Sequence, residues 1–125
     1  RCIFQSEVVF DTGQALLLHD GRGELEKVAT ALVDHDKQIP GDIAWVLRVD
    51  GHTDVRPIIN SPLFKSNWEL SSARAISVVQ YLISLGVPAQ RLVAAGFAEF
   101  QPLDTAATED AYKRNRRIEL KLTER

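Results

Sequence analysis

The alternation of apolar and polar positions predicts the elements in turn. Ser6 to Phe10 (SEVVF) is a short β-branched run closed by the turn-like Asp11-Thr12-Gly13, and it reads as a first strand. From Gly23 to about His35, Leu25, Val28, Ala29, Leu32 and Val33 recur at helical spacing, which predicts an amphipathic helix. Pro40 and Gly41 break it. Ile43 to Gly51 is mostly apolar, as a central strand covered on at least one face would be. A second helix is signposted by Ser66 and Glu69, an S-x-x-E capping box, followed by Ala75, Ile76, Val79, Leu82 and Ile83 as its apolar stripe. Gly86 and Pro88 end that helix. Arg91 to Gly96 reads as a third strand, and Thr108 to Arg114 as a short helix. In the last segment Ile118, Leu120 and Leu122 alternate with Glu119, Lys121 and Thr123, predicting a half-buried strand. The order β-α-β-α-β-(α)-β implies an α/β sandwich with helices on a mixed sheet. No repeat or internal boundary interrupts it, so residues 1–125 are expected to form a single domain.

Composition narrows the function classes. The chain has 125 residues, 45% hydrophobic and 26% charged, an ordinary globular balance. A net charge of -2 and a pI near 5.9, with no polybasic block, argue against nucleic acid as a partner. The single cysteine, Cys2, allows neither an intrachain disulfide nor a thiolate zinc site and reads as incidental. No apolar run approaches the ~20 residues that span a bilayer and no signal-peptide pattern occurs, so any membrane anchor is expected outside this segment.

Candidate chemistry concentrates between Asp50 and Ala75. The strand ends in His52, Thr53 and Asp54, and the next helix carries Arg74 close to its start. On a helical wheel Arg74 falls away from the apolar stripe, which predicts a place at the surface or rim. A cation early in a helix opposes the helix dipole unless an anion is near. Two readings stay open: a salt bridge to Asp54, or a ligand with one positive and one negative end. His52 and Asp54 share a face if the strand persists, but a metal site needs a third ligand, and His19 and His35 lie in unrelated segments. Ser61, Ser66, Ser71 and Ser72 lack any nucleophile-elbow motif. Trp45 is expected in the core, whereas Trp68 is placed to wall a pocket. Lys113 to Arg117 (KRNRR) reads as a small basic patch or a solvated strand entrance.

Five short motifs in register carry a resemblance: GHTD at 51–54, NWELSSARA at 67–75, GVP at 86–88 with RL at 91–92, GF at 96–97, and NRRIE at 115–119. Together they resemble the OmpA-like (Pal/MotB type) peptidoglycan-binding domain, and the long loop from Val55 to Lys65 is most similar to the MotB-like branch. The resemblance implies helices on a mixed four-stranded sheet, and a non-enzymatic module that binds peptidoglycan through the diaminopimelate of its stem peptide. Asp54 would take the ammonium and Arg74 the carboxylate of that residue's amino-acid head. Thr53, Asn67 and Leu70 would border the site. Asn115 and Arg117 would brace it or reach the ligand, with the choice between Arg116 and Arg117 open. It further implies no cofactor or metal, a periplasmic location in a Gram-negative cell, and a tether to the inner or outer membrane outside this segment. The rival expectations are a dimerisation or partner-docking domain with a vestigial pocket, including a homodimer, and a cell-wall hydrolase using His52 and Asp54.

Overall fold

The computed structural model describes residues 2–125. Its centre is a four-stranded mixed sheet in the order β1-β4-β2-β3. The strands are β1 (Cys2–Gln5), β2 (Trp45–His52), β3 (Leu92–Gly96) and β4 (Arg117–Glu124). β2 is central: it pairs antiparallel with β4 along its whole length and parallel with β3. A parallel pair needs a long crossover, here the helix α3 (Asn67–Ser84), which packs on both strands it joins. The long helix α2 (His19–Gln38) lies beside α3. Two short helices, α1 (Ser6–Val9) and α4 (Glu109–Asn115), flank β4 in sequence or space.

The core lies between one face of the sheet and the helices. Leu47, Val49, Ile118 and Leu120 meet Leu25, Ala29 and Leu32 of α2 and Ala75, Val78 and Leu82 of α3, with Val9, Phe10 and Trp45 completing it. Burying side chains of this kind contributes on the order of 1.5–3 kcal/mol each.

Three expectations are corrected. Ser6 to Val9 is a helical turn, and the first strand is Cys2–Gln5, whose register with β4 is fixed from Cys2↔Leu120 to Gln5↔Arg117. The buried face of α3 is Asn67, Leu70, Ser71, Arg74, Ala75, Val78 and Leu82, so Ile76 and Ile83 are exposed, at 45% and 41%. A single-helix wheel cannot register the extra layer that Phe10 and the following turn lay over Arg74. Finally, β4 is buried on both faces over Arg117–Leu120, while Leu122, which lies past the end of β1, is half-exposed.

The face of the sheet away from α2 and α3 explains the buried charges on β4. Arg48 grips Asp50 with two hydrogen bonds of 2.7 and 2.8 Å. Arg117 pairs with Glu119 and donates to the carbonyls of Asn115 and Gln101. Lys121 lies 3.9 Å from both Asp50 and Glu119. His52 is stacked flat on Phe97, 5.0 Å between ring centres; among the described residues neither ring nitrogen has a hydrogen-bond partner, and Nε2 lies 3.8 Å from the Glu119 carboxylate. Burial, then the charge of Arg117, pulls its pKa down to about 4.

Candidate functional site

Two glycines let α3 approach the sheet closely enough to build the site. A Cβ on Gly51 would lie 2.2 Å from the carbonyl oxygen of Ser71, and one on Gly96 would lie 2.8 Å from the backbone nitrogen of Ser72. Both contacts are backbone, so only glycine fits without moving the helix. The chain then leaves β2 at its carboxyl end, where open α/β sheets place ligands. Thr53 donates its backbone N–H to Ala98, and Phe97 donates to Gly51, holding the GHTD segment against the segment after β3. Ser66 caps α3 by accepting from the N–H of Glu69 at 3.3 Å. The reciprocal bond of the capping box is displaced by one residue, since the Glu69 carboxylate accepts from Lys65 and not from Ser66.

Between these elements lies a cavity of about 440 Å³, lined among others by Glu7, Phe10, Thr53, Asp54, Arg56, Asn67, Leu70, Arg74 and Arg116. Its two charged ends are built differently. Asp54 is 6% exposed and already neutralised. Its Oδ2 accepts from Arg56 Nε and Nη2, at 3.1 and 2.7 Å, and from Arg116 Nη1 at 2.7 Å, while Oδ1 accepts the backbone N–H of Arg56 at 2.9 Å. Burial by itself raises the Asp54 pKa, but these hydrogen bonds outweigh it and hold the carboxyl below its ordinary value.

Arg74 is the opposite case. It is buried, at 5% exposure, and not at the rim as its wheel position suggested. Its Nε donates to the Gln14 carbonyl at 2.8 Å and one Nη2 hydrogen to the Asp11 carbonyl at 3.2 Å. The turn presenting both carbonyls depends on Gly13, whose φ of 68° is left-handed. The guanidinium also stands 5.0 Å from the Phe10 ring centre. Among the described residues it has no salt bridge, so the direct Asp54–Arg74 pair left open by the sequence is not formed. Nη1 has no hydrogen-bond acceptor among the described residues. Desolvation pulls the Arg74 pKa down to about 10, still well above neutrality. The charge of Glu7, which also lines the cavity, offsets part of the cost of burying this cation and that of Arg116 adds to it; a ligand carboxylate in direct contact would offset more.

Of the residues named from sequence, the fold brings Thr53, Asp54, Asn67, Leu70 and Arg74 together around this cavity. Asn67 works as a clasp, its amide donating to the carbonyl of Arg56 at 3.1 Å and to Glu99 at 3.3 Å. Asn115 and Arg117 lie elsewhere. Asn115 accepts from the backbone of Leu103 and Asp104 and donates back to Asp104, bracing that loop. Arg117 sits in the ion-pair layer described above, and it is Arg116 that faces the cavity, linking Asp54 to Glu7. Strand alternation from Arg117 onward puts neighbouring arginines on different sides. KRNRR is therefore neither a patch nor a solvated entrance, since Asn115 and Arg117 are buried. Trp68 does not wall the cavity: it is 52% exposed and tilts against Phe100 outside it. Trp45 is in the core at 3% exposure. Glu7, Phe10 and Gly13 come from the N-terminal segment, where no sequence motif marked them.

The profile of the OmpA family matches residues 9–116. The chain belongs to the OmpA family. Among its relatives, Bacillus subtilis YtxE, a protein of uncharacterised function, is 40% identical over 119 residues, covering 94% of this chain and 46% of that protein. Motility protein B of the same organism is 31% identical over 93% of this chain and 42% of its own length. The chain thus spans about half the length of the curated relatives it matches. A MotB-like protein from Desulfovibrio vulgaris superimposes with a TM-score of 0.87 at 28% identity, covering 98% of this chain and 74% of that one. The cell wall anchor of the type VI secretion system of Pseudomonas aeruginosa gives 0.80 at 30% identity, over 94% and 76% of the two chains. These similarities agree with the MotB-like resemblance and with the architecture of helices on a mixed four-stranded sheet. No helix among the described residues is long and apolar enough to cross a membrane, and no group of three His, Cys, Asp or Glu side chains there could hold a metal ion.

Proposed function

We propose that this domain binds peptidoglycan non-covalently, by seating the free amino-acid head of a diaminopimelate residue in the cavity, and so ties the rest of its protein to the cell wall. One observation carries the reading: Arg74 is a buried guanidinium that makes no salt bridge among the described residues, lining a cavity whose other charged end is Asp54. The ligand carboxylate would take the unused Nη1 and remaining Nη2 hydrogens of Arg74, as guanidinium groups commonly do in forked pairs. The ligand ammonium would lie at Asp54. Thr53, Asn67 and Leu70 form the wall between them. Asn115 and Arg117 support the site from outside it, through the 103–104 loop and the start of β4.

Kinship with a secretion-system cell wall anchor and with motility protein B supports this class of partner. It also supports a location outside the cytoplasmic membrane, in a protein tethered by a segment beyond the residues described. Relatives come from Bacillus as well as from bacteria such as Pseudomonas and Bordetella, so the domain type is not tied to one envelope. The module is read as a binder, not an enzyme. His52, which a hydrolase would have to expose, lies beneath Phe97 at 6% exposure.

The test is co-sedimentation of the purified domain with isolated peptidoglycan. Wild type should pellet with the wall, while Asp54→Ala and Arg74→Ala should stay in the supernatant with unfolding midpoints that show they remain folded. Retention of both folded variants at the wild-type level would overturn the proposal. Release of soluble fragments from labelled wall would overturn the binding-only reading.

A further inference from the structure

The charges around Asp54 are unbalanced in a way that bears on selectivity. The carboxylate pairs with two guanidinium groups, while Arg74 makes no salt bridge among the described residues. Oδ2 already accepts three N–H groups, which leaves it no room for an ammonium. The two arginines are not equally held. Arg116 is the less exposed, at 23% of its side chain, and its other end is bound to Glu7 beside the cavity. Arg56 is 47% exposed and has a second seat outside the cavity: its Nη1 donates to Glu109 at 2.9 Å, and its guanidinium lies 4.7 Å from the centre of the Tyr112 ring. Both partners belong to α4, and neither lines the cavity.

We propose that Arg56 is a built-in counter-ion that the ligand's ammonium displaces from Asp54, so that Arg56 sets how strongly the site values an amine over a carboxylate alone. This rests on the diaminopimelate reading above. On binding, the Arg56 side chain moves fully onto Glu109 and Tyr112, while its backbone N–H keeps Oδ1 of Asp54 in place. The exchange swaps one cation for another at the carboxylate, which lowers the net gain from the ammonium. Meanwhile the carboxylate end at Arg74 gains a full new ion pair. Recognition is therefore led by the carboxylate, with Arg56 damping the amine.

The test compares wild type, Arg56→Gln and Arg56→Lys by isothermal titration calorimetry against two probes. These are meso-diaminopimelate and pimelate, the same chain without amines. Arg56→Gln should bind diaminopimelate about two- to fivefold more tightly, the range expected for losing a half-exposed ion-pair competitor. Its pimelate affinity should be unchanged or weaker, and Arg56→Lys should restore wild-type behaviour for both. Equal or weaker diaminopimelate binding by Arg56→Gln would overturn the role, because Arg56 would then be orienting Asp54 and not competing for it. Failure of all three proteins to bind diaminopimelate would overturn the parent reading and this one together. Binding by all three at one affinity would remove only Arg56's part.

Discussion

Helix α3 comes close to β2 at Gly51, and replacing Gly51 by alanine tests whether this contact positions Arg74. Gly51 has no left-handed φ, so alanine is acceptable to the local backbone and its cost is purely steric. The new Cβ would meet Ser71 at 2.2 Å from its carbonyl oxygen and 2.9 Å from its carbonyl carbon. Neither atom can swing aside, so the first turns of α3 have to retreat by about 1 Å to recover ordinary contact distances. Gly96, on the next strand, meets the neighbouring Ser72 backbone at 2.8 Å, so the helix is seated on two adjacent strands at once. Overpacking of this kind costs roughly 1–3 kcal/mol, and a rigid backbone obstacle puts Gly51→Ala near 3. Arg74 lies one turn beyond Ser71, and the shift would strain its bonds to Gln14 and Asp11, together with the 2.6 Å bond from Ser77 to Ala15. Urea unfolding followed by tryptophan fluorescence measures the stability, and co-sedimentation of the still-folded protein with peptidoglycan measures the site. Both should fall. Gly41→Ala, where a Cβ meets nothing within 4 Å, should change stability by less than about 1 kcal/mol and leave retention intact. A Gly51→Ala protein with wild-type stability and retention would refute the argument that this contact seats the helix.

Three further predictions concern buried or partly buried ionisable groups. His52 is held neutral by burial, with its folded pKa near 4 against an ordinary 6.5, so its contribution is complete above pH 6.5 and is lost as pH falls toward 4. The full shift corresponds to about 3 kcal/mol, and roughly 2 remains after allowing for solvent screening; urea midpoints at pH 7 and 4.5 should show a drop that His52→Leu lacks. Arg117→Ala removes the buried guanidinium paired with Glu119, whose remaining partners include Lys121 at 3.9 Å, and should destabilise the fold by about 3 kcal/mol. Arg116→Ala should leave the unfolding midpoint within about 1 kcal/mol of wild type while altering retention on peptidoglycan. Equal destabilisation by the two arginine variants would contradict the separation of their roles.

Much of this was legible in the sequence because it rests on local signals. The Ser66 cap, the breaks at Pro40 and Gly86, and the apolar run of β2 each fix an element from its own residues. The candidates Asp54 and Arg74 stand out from their places at a strand end and early in a helix, and the GHTD and NWELSSARA motifs give them their proposed roles. What stayed hidden came from tertiary layers. Arg74 looked peripheral because its cover, the 11–15 turn and Phe10, arrives from sixty residues away. Glu119 reads as a polar outward position of a half-buried strand, and its burial rests on Arg117 and Lys121 on the same face, which the alternation cannot register. Ser6 to Val9 has strand composition, yet it turns helical where Ser6 docks its N–H on Arg116 and Gly21 admits Val9 against α2. Arg56 carried no motif at all, and only its position over Asp54 and Tyr112 marks it.

The most direct measurement is a crystal structure of the domain with meso-diaminopimelate. The account predicts one amino-acid head inside the cavity, its carboxylate within hydrogen-bond distance of the Arg74 guanidinium and its ammonium at the Asp54 carboxylate. Diaminopimelate bound elsewhere, or touching only one of these two side chains, would contradict it.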